Sequence, residues 1–192
     1  MFNIILVGPP GSGKGTQAER LIQRYGFISI ALGALLRQEM AENGPNKKLI
    51  ESYINSGQLV PDSLSLQLIT QLVEAQPTDG LLLFDGFPRT LAQATFLDNF
   101  LTEYQTKIDG VIFLDVSSEH LLKRLKHRAT IEARSDDQDD SKIKTRMQIY
   151  QEETLPILNY YKAQEKLHCV NGLQDVDQVT QAIEAIMDRL IL

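Results

Sequence analysis

The sequence predicts an α/β protein: a five-stranded parallel sheet flanked by helices. Three observations carry that expectation. Short apolar runs alternate with longer periodic segments. The runs are apolar without polar alternation, as strands covered on both faces should be. The first run leads directly into a glycine-rich stretch, GPPGSGKGTQ at residues 8–17. The strand candidates are Phe2–Val7, Phe27–Ile30, Leu81–Phe84, Val111–Leu114 and Leu167–Val170. LLLF and VIFL could each form a buried helical turn, but the flanking TDG, DG and NG punctuation favours strands.

The first helix is expected over Lys14–Tyr25, where small or apolar residues at 18, 21, 22 and 25 form one stripe, and it stops at Gly26. Residues 33–57 contain two helical segments broken by ENGPN and no strand, which predicts a small helical insertion. Asp62, directly after Pro61, is the expected N-cap of a helix running through Val73. Ser117 or Ser118 caps a helix carrying Leu121, Leu122 and Leu125, with Glu119 favourable in its first turn. HRATIEARSDDQDDSK, at 127–142, is polar, mixed in charge and poor in apolar anchors, and reads as a mobile surface loop.

A chain of 192 residues supports one sizeable core and is too short for two ordinary domains. The apolar content of 43% and charged content of 23% are those of a water-soluble globular protein. A net charge of −6 argues against a general nucleic-acid binder, whose affinity rests on clustered Lys and Arg. The single Cys169 excludes an internal disulfide and a four-cysteine zinc site, and is expected as a small apolar residue in a buried strand. No stretch has the length of a membrane span, and the start lacks the basic residues of a signal peptide. The expected setting is the cytoplasm, with no membrane contact.

Chemistry concentrates in a few places. A strand, a glycine-rich turn and then a helix aim several backbone N–H groups at one spot, at the positive end of the helix dipole. Gly8, Gly13 and Lys14 fit the pattern G-x-x-x-x-G-K-[ST], with Lys14 placed to reach β- and γ-phosphates; Gly15 stands where the hydroxyl is expected, and Thr16 follows one position late. Asp85 ends an apolar strand beside that loop, where open sheets bind ligands and where Mg²⁺ is commonly positioned. Asp115 ends VIFLD in the same way. Only Asp85 continues into GFPRT, whose tight turn brings Arg89 to the same edge.

GPPGSGKGTQ, DGFPRTLAQ at 85–93 and GQLVPD at 57–62 together resemble the nucleoside monophosphate kinase family, most closely its adenylate kinases. The order and spacing match over nearly the whole chain, including EETLPILNYY at 152–161. In that family a glycine at the usual hydroxyl position is normal. The resemblance implies a single P-loop kinase domain over 1–192, with an acceptor-binding segment at 31–60 and a short lid at 127–140. It implies transfer of the γ-phosphate of ATP to AMP with Mg²⁺, by a monomer that needs no structural zinc because the short lid lacks a cysteine tetrad.

By the same resemblance, Gly11, Ser12, Gly13, Lys14, Gly15 and Thr16 hold ATP, with Arg124 and Arg128 near its base and phosphates. Arg37 and Arg89 take the AMP phosphate. Leu32, the backbone of Gln58, Leu59 and Val60, the turn Gly86, Phe87 and Pro88, and the side chain of Gln93 surround the rest of the acceptor. A side-chain amide both donates and accepts, so Gln93 can pair with an adenine edge. Arg128, Arg134 and Arg146 join Lys14 and Arg89 on the transferring group, and Asp85 holds Mg²⁺ through water. His120, His127 and His168 lie outside every matching motif and read as structural or exposed.

The match departs locally. Where the family has ISTGDLLR, this chain has SIALGALLR at 29–37, so Ala31, Leu32 and Ala34 replace Ser, Thr and Asp. Leu32 cannot donate a hydrogen bond to the base, and Ala34 removes a carboxylate, so a less strict acceptor choice is expected. Three other readings fit parts of the sequence. Kinases for UMP and CMP usually carry Asn at the position of Gln93. A GTPase-like switch would need a guanine-reading stretch, and NKKL at 46–49 lacks its Asp. A non-catalytic nucleotide binder would fit the lost side chains but not the retained Lys14, Arg89 and lid arginines.

Overall fold

The computed structural model describes residues 1–132 and 139–191, with the backbone alone for 127–132. In chain order the elements are β1 (Phe2–Val7), α1 (Lys14–Tyr25), β2 (Ile28–Ala31), α2 (Leu32–Ala41), α3 (Lys47–Ser56), α4 (Asp62–Glu74) and β3 (Leu81–Asp85). There follow α5 (Leu91–Glu103), β4 (Ile108–Asp115), α6 (Ser118–Glu132), α7 (Asp140–Ile149), a π-helical turn (Tyr150–Thr154), α8 (Leu155–Lys162), β5 (Leu167–Asn171) and α9 (Val176–Ile191).

Among the described residues the five strands form one parallel sheet in the order β2-β3-β1-β4-β5. Burial of both its faces explains the unalternating apolar runs. Ile5 and Val7 of β1 enter one core cluster, while Ile4 and Leu6 enter the other. Leu82 and Phe84 of β3 join the first cluster and Leu83 the second. The first is completed by Ile69 and Val73 of α4, Leu97 and Leu101 of α5, and Ile157 and Tyr161 of α8. Ala18 and Leu21 of α1, with Ile183 and Met187 of α9, complete the second. Each such aliphatic side chain, fully buried, contributes about 1.5–3 kcal/mol of transfer free energy. A polar residue at Ile4 or Leu83, both fully buried, would therefore forfeit that contribution.

Every predicted strand is present, and β4 begins three residues early, at Ile108. Three other expectations are corrected. Asp62 is the first residue of α4, not its cap; Pro61 caps the helix without a side-chain bond, and the Asp62 carboxylate reaches across to α5 instead. The polar stretch after Leu125 is not a loop throughout, because α6 continues to Glu132 and α7 starts at Asp140. Lys, Arg, Ala and Glu are good helix formers, and a helix already anchored at its start adds one bond per residue. Polarity there marks a surface face. Cys169 is exposed rather than buried, because β5 lies at the sheet edge with a neighbour on one side only.

The sheet order places β1 between β3 and β4, so the loop after Val7 lies between the carboxyl ends of those two strands. Leu6 pairs with Asp85 and Val7 with Phe113. Among the described residues, no helix is long and apolar enough to cross a membrane.

Candidate active site

The loop from β1 to α1 turns on its glycines. Gly11 and Gly13 adopt φ of +82° and +98°, which side chains disfavour, and Ser12 N–H donates to the Pro9 carbonyl at 3.1 Å. The loop delivers the chain into the amino end of α1, whose first N–H groups have no helical partner and sit at the positive end of the dipole. Lys14 Nζ folds back over the loop, donating to the carbonyls of Gly8 at 2.7 Å and Pro9 at 3.1 Å. It thus lies in register with the groups that would cradle phosphate.

The opposite wall is assembled from distant segments. After β3 the chain turns at Gly86, and Arg89 Nε donates to the Gly86 carbonyl at 2.8 Å. Arg89 is held by its backbone too: its N–H donates to Gln93 Oε1 at 2.7 Å, and its carbonyl accepts from Thr154 Oγ1 at 2.9 Å. Thr90 caps α5 by accepting from Gln93 N–H at 3.1 Å. Gln93 Nε2 donates to Asp62 Oδ1 at 2.6 Å, and Thr90 Oγ1 to Asp62 Oδ2 at 3.4 Å. Thr90 and Gln93 have the spacing of a capping box, but the glutamine reaches one residue further back, to Arg89.

The two walls enclose a cleft of about 820 Å³. Gly11, Ser12, Gly13, Lys14, Gly15 and Thr16 line it on the loop side, and Arg37, Asp85, Gly86, Pro88, Arg89 and Gln93 on the other. Leu32, Gln58, Leu59, Val60, Arg124 and Arg146 also line it. Arg124 lies against the loop, donating to the carbonyls of Gly172 at 2.9 Å and Ser12 at 3.4 Å. Phe87 is placed elsewhere: it is 1% exposed and packs in the first core cluster. The side chain of Arg128, and Arg134 altogether, lie outside the described residues, as do residues 133–138 of the expected lid. The two strand-end aspartates separate. Asp85 lines this cleft, whereas Asp115 lines a smaller neighbouring one of about 180 Å³.

With this geometry in view, comparison with known proteins is decisive. The profile of the family described as Adenylate kinase matches residues 6–166. The chain belongs to the adenylate kinase family. It is similar over nearly its whole length to proteins named Adenylate kinase. That of Flavobacterium psychrophilum is 38% identical over 99% of this chain and 100% of the relative. That of Thermus thermophilus is 41% identical over 96% of each. That of Porphyromonas gingivalis is 39% identical over 98% of this chain and 97% of the relative. As a member of the adenylate kinase family it is an enzyme, a nucleoside monophosphate kinase, and the parallel sheet with its flanking helices is the P-loop fold of such kinases.

The donor set of this adenylate kinase cleft suits Mg²⁺ in one particular way. Among the described residues, no group of three or more His, Cys, Asp or Glu could cage a metal. Mg²⁺ needs no such cage, since it keeps several waters and is held by one or two carboxylates together with substrate phosphates. Asp85 and the Thr16 hydroxyl, both in the cleft lining, are oxygen donors of the right kind.

Three further residues bear on the adenylate kinase site and were missed in the sequence. Asp62 and Thr154 reach it only through partners far along the chain, at separations of 31 and 65 residues. Tyr150, in the π-helical turn, borders both cavities, and its buried hydroxyl has no partner among the described residues. Burial pushes that hydroxyl's pKa up, with nearby Asp115 adding to the effect, so it remains protonated. The one local signal available was the capping-box spacing of Thr90 and Gln93.

Proposed function

We propose that the protein transfers the γ-phosphate of ATP to AMP, giving two ADP. A single observation carries this reading: the phosphate-cradling loop and the cluster of Arg37, Arg89 and Gln93 line one continuous cleft. At about 820 Å³ it lies toward the upper end of the ~300–1,000 Å³ range for small-molecule sites. The relatives named Adenylate kinase support the same reaction.

In this reading the N–H groups of residues 11–16 and Lys14 take the phosphates of ATP, with Arg124 and Arg128 beside the donor. Arg37 and Arg89 take the phosphate of AMP, and Leu32, Gln58, Leu59, Val60, Gly86, Pro88 and Gln93 surround the remainder, while Phe87 supports the turn from the core. The attacking phosphate oxygen is already ionised, so no general base is needed. The transition state is loose and carries its charge on the equatorial oxygens, so alignment and cationic stabilisation dominate. Lys14, Arg89, Arg128, Arg134 and Arg146 supply that cationic surround. Asp85 would hold Mg²⁺ through water, and the ion would supply neutralisation of phosphate charge there. Closure over the cleft keeps water from intercepting the phosphoryl group. Ala31, Leu32 and Ala34 all line the cleft, leaving Arg37, Arg89 and Gln93 as its acceptor-side polar groups carried over from the family pattern. The protein is proposed to act as a cytoplasmic monomer without nucleic-acid or membrane partners.

A coupled assay with ATP, Mg²⁺ and each of AMP, CMP, UMP and GMP tests the reading. ADP formation is expected to be fastest with AMP, with the others used at lower rates by a margin that Ala31, Leu32 and Ala34 narrow. Faster turnover with a pyrimidine nucleotide, or ATP hydrolysis without transfer, would refute it.

A further inference from the structure

We infer that Asp62 is a positioning residue that fixes which way round the Gln93 amide faces the acceptor base, and thereby selects a 6-amino over a 6-oxo purine. The inference rests on the reading that Gln93 contacts the acceptor base.

The two ends of the Gln93 amide are chemically different, and each meets a partner that accepts only one of them. Oε1 receives the backbone N–H of Arg89 at 2.7 Å, and that group can only donate. Nε2 donates to Asp62 Oδ1 at 2.6 Å, and an ionised carboxylate can only accept. Turning the amide over would set donor against donor and acceptor against acceptor. The orientation is therefore dictated from both ends.

An amide carries two N–H groups and two oxygen lone pairs. One of each is used by Asp62 and Arg89, so one N–H and one lone pair remain, in a fixed order, on a side chain that lines the cleft. Gln93 is 2% exposed, so water cannot substitute freely for a mismatched partner. Adenine presents an amino donor beside a ring-nitrogen acceptor, whereas a 6-oxo purine presents an acceptor where the amino group was. A freely turning amide could serve either base. A fixed one serves a single order.

Asp62 itself sits at the junction that makes this possible. It opens α4 two residues after the strip 58–60 that lines the cleft, and its second oxygen accepts from Thr90 Oγ1, the cap of the helix carrying Gln93. One carboxylate thus ties the acceptor segment to the helix that presents the amide.

The test compares AMP with inosine monophosphate as acceptors, at fixed ATP, in Asp62→Ala and Asp62→Asn proteins. Hydrogen bonds to charged groups are worth enough that Asp62→Ala should raise KM for AMP about tenfold, with kcat and KM for ATP changed by about twofold or less. The AMP-to-inosine-monophosphate ratio of kcat/KM should fall by a similar factor. Asp62→Asn keeps a carbonyl oxygen for Nε2 and should fall between, at about threefold. An unchanged ratio in Asp62→Ala overturns the inference, as does a defect confined to kcat or to ATP. Should Asp62→Ala fail to fold, an unchanged ratio in Asp62→Asn overturns it equally. Gln93→Leu separates the levels. If it leaves the ratio intact, the base-reading role of Gln93 fails and the Asp62 inference falls with it. If it collapses the ratio while Asp62→Ala does not, only the Asp62 inference fails.

Discussion

The two walls of the cleft are held by different means. On the loop side, Lys14 bonds to carbonyls five and six residues away, and the turn closes on its own glycines. On the acceptor side, Gln93 meets Asp62 across 31 residues, and Thr154 holds the Arg89 carbonyl across 65. The first wall is a local object that ten consecutive residues can specify. The second exists only once α4, α5 and the π-helical turn have packed together. The contrast implies a division of labour: changes in the loop should strike turnover, and changes in the far wall should strike the acceptor.

The sharpest way to break that division is Lys14→Met. It removes the cation proposed to reach the transferring phosphate, together with its bonds to the Gly8 and Pro9 carbonyls, but leaves the loop glycines and both cores unchanged. By analogy with the loss of one preorganised transition-state donor, kcat should fall about 10³-fold or more. Circular dichroism and Tm should stay near those of the parent. A protein that kept most of its turnover would remove the loop from the reaction. Next in size is Arg89→Met, which leaves the backbone bonds of Arg89 to Gln93 and Thr154 in place and deletes only the guanidinium. We expect a loss of about 10²-fold in kcat/KM for AMP, with KM for ATP little changed. An equal rise in both KM values would show that the walls are not separable.

A gentler probe is Thr154→Val, which keeps the shape of a buried residue and strips the hydroxyl that donates to the Arg89 carbonyl at 2.9 Å. The bond is part-buried, and losing one of this kind costs about 0.5–1.5 kcal/mol, so Tm should drop by a few degrees. KM for AMP should rise about threefold as Arg89 loses one of its backbone anchors. Stability lost with no change in KM would mean that the π-helical turn supports the fold but does not position the site.

What could be read from the chain follows the same division. The loop was legible because Gly8, Gly13 and Lys14 carry their meaning at fixed short spacing. The strands were legible because both faces of the sheet are buried, which makes Ile4 to Val7 and Leu81 to Phe84 uniformly apolar. Arg37, Arg89 and Gln93, which line the cleft, stand out in the sequence only within matching motifs, since an arginine alone looks like any solvated charge. The role of Asp62 was hidden by a plausible local one: an acidic residue after Pro61 suits a helix start, and nothing nearby points to a glutamine 31 positions on. Residues 127–132 read as loop in the sequence because they lack apolar anchors, yet helix continuation depends on backbone propensity rather than on burial. Cys169 was misplaced because residue type reports average burial and knows nothing of a sheet edge.

The finest test of the comparison uses two glycines that differ in one respect. Gly57 and Gly26 both close a helix in the left-handed region, at φ of +73° and +74°. A Cβ on Gly26 would meet nothing within 4 Å, whereas one on Gly57 would lie 3.0 Å from the Lys142 carbonyl and 3.4 Å from Arg146 Cγ, both on α7. Gly26→Ala therefore isolates the backbone strain, about 1–2 kcal/mol, or roughly 2–8 °C in Tm for a chain of this size. Gly57→Ala adds pressure between the end of α3 and α7, directly before Gln58 in the cleft wall. Gly57→Ala should lose the more stability of the two, and it alone should raise KM for AMP, by about twofold to threefold, with kcat for saturating AMP preserved. If the two variants share the same KM, the approach of α3 to α7 has no part in holding the acceptor wall, and that wall is set by the bonds among Asp62, Arg89, Gln93 and Thr154 alone.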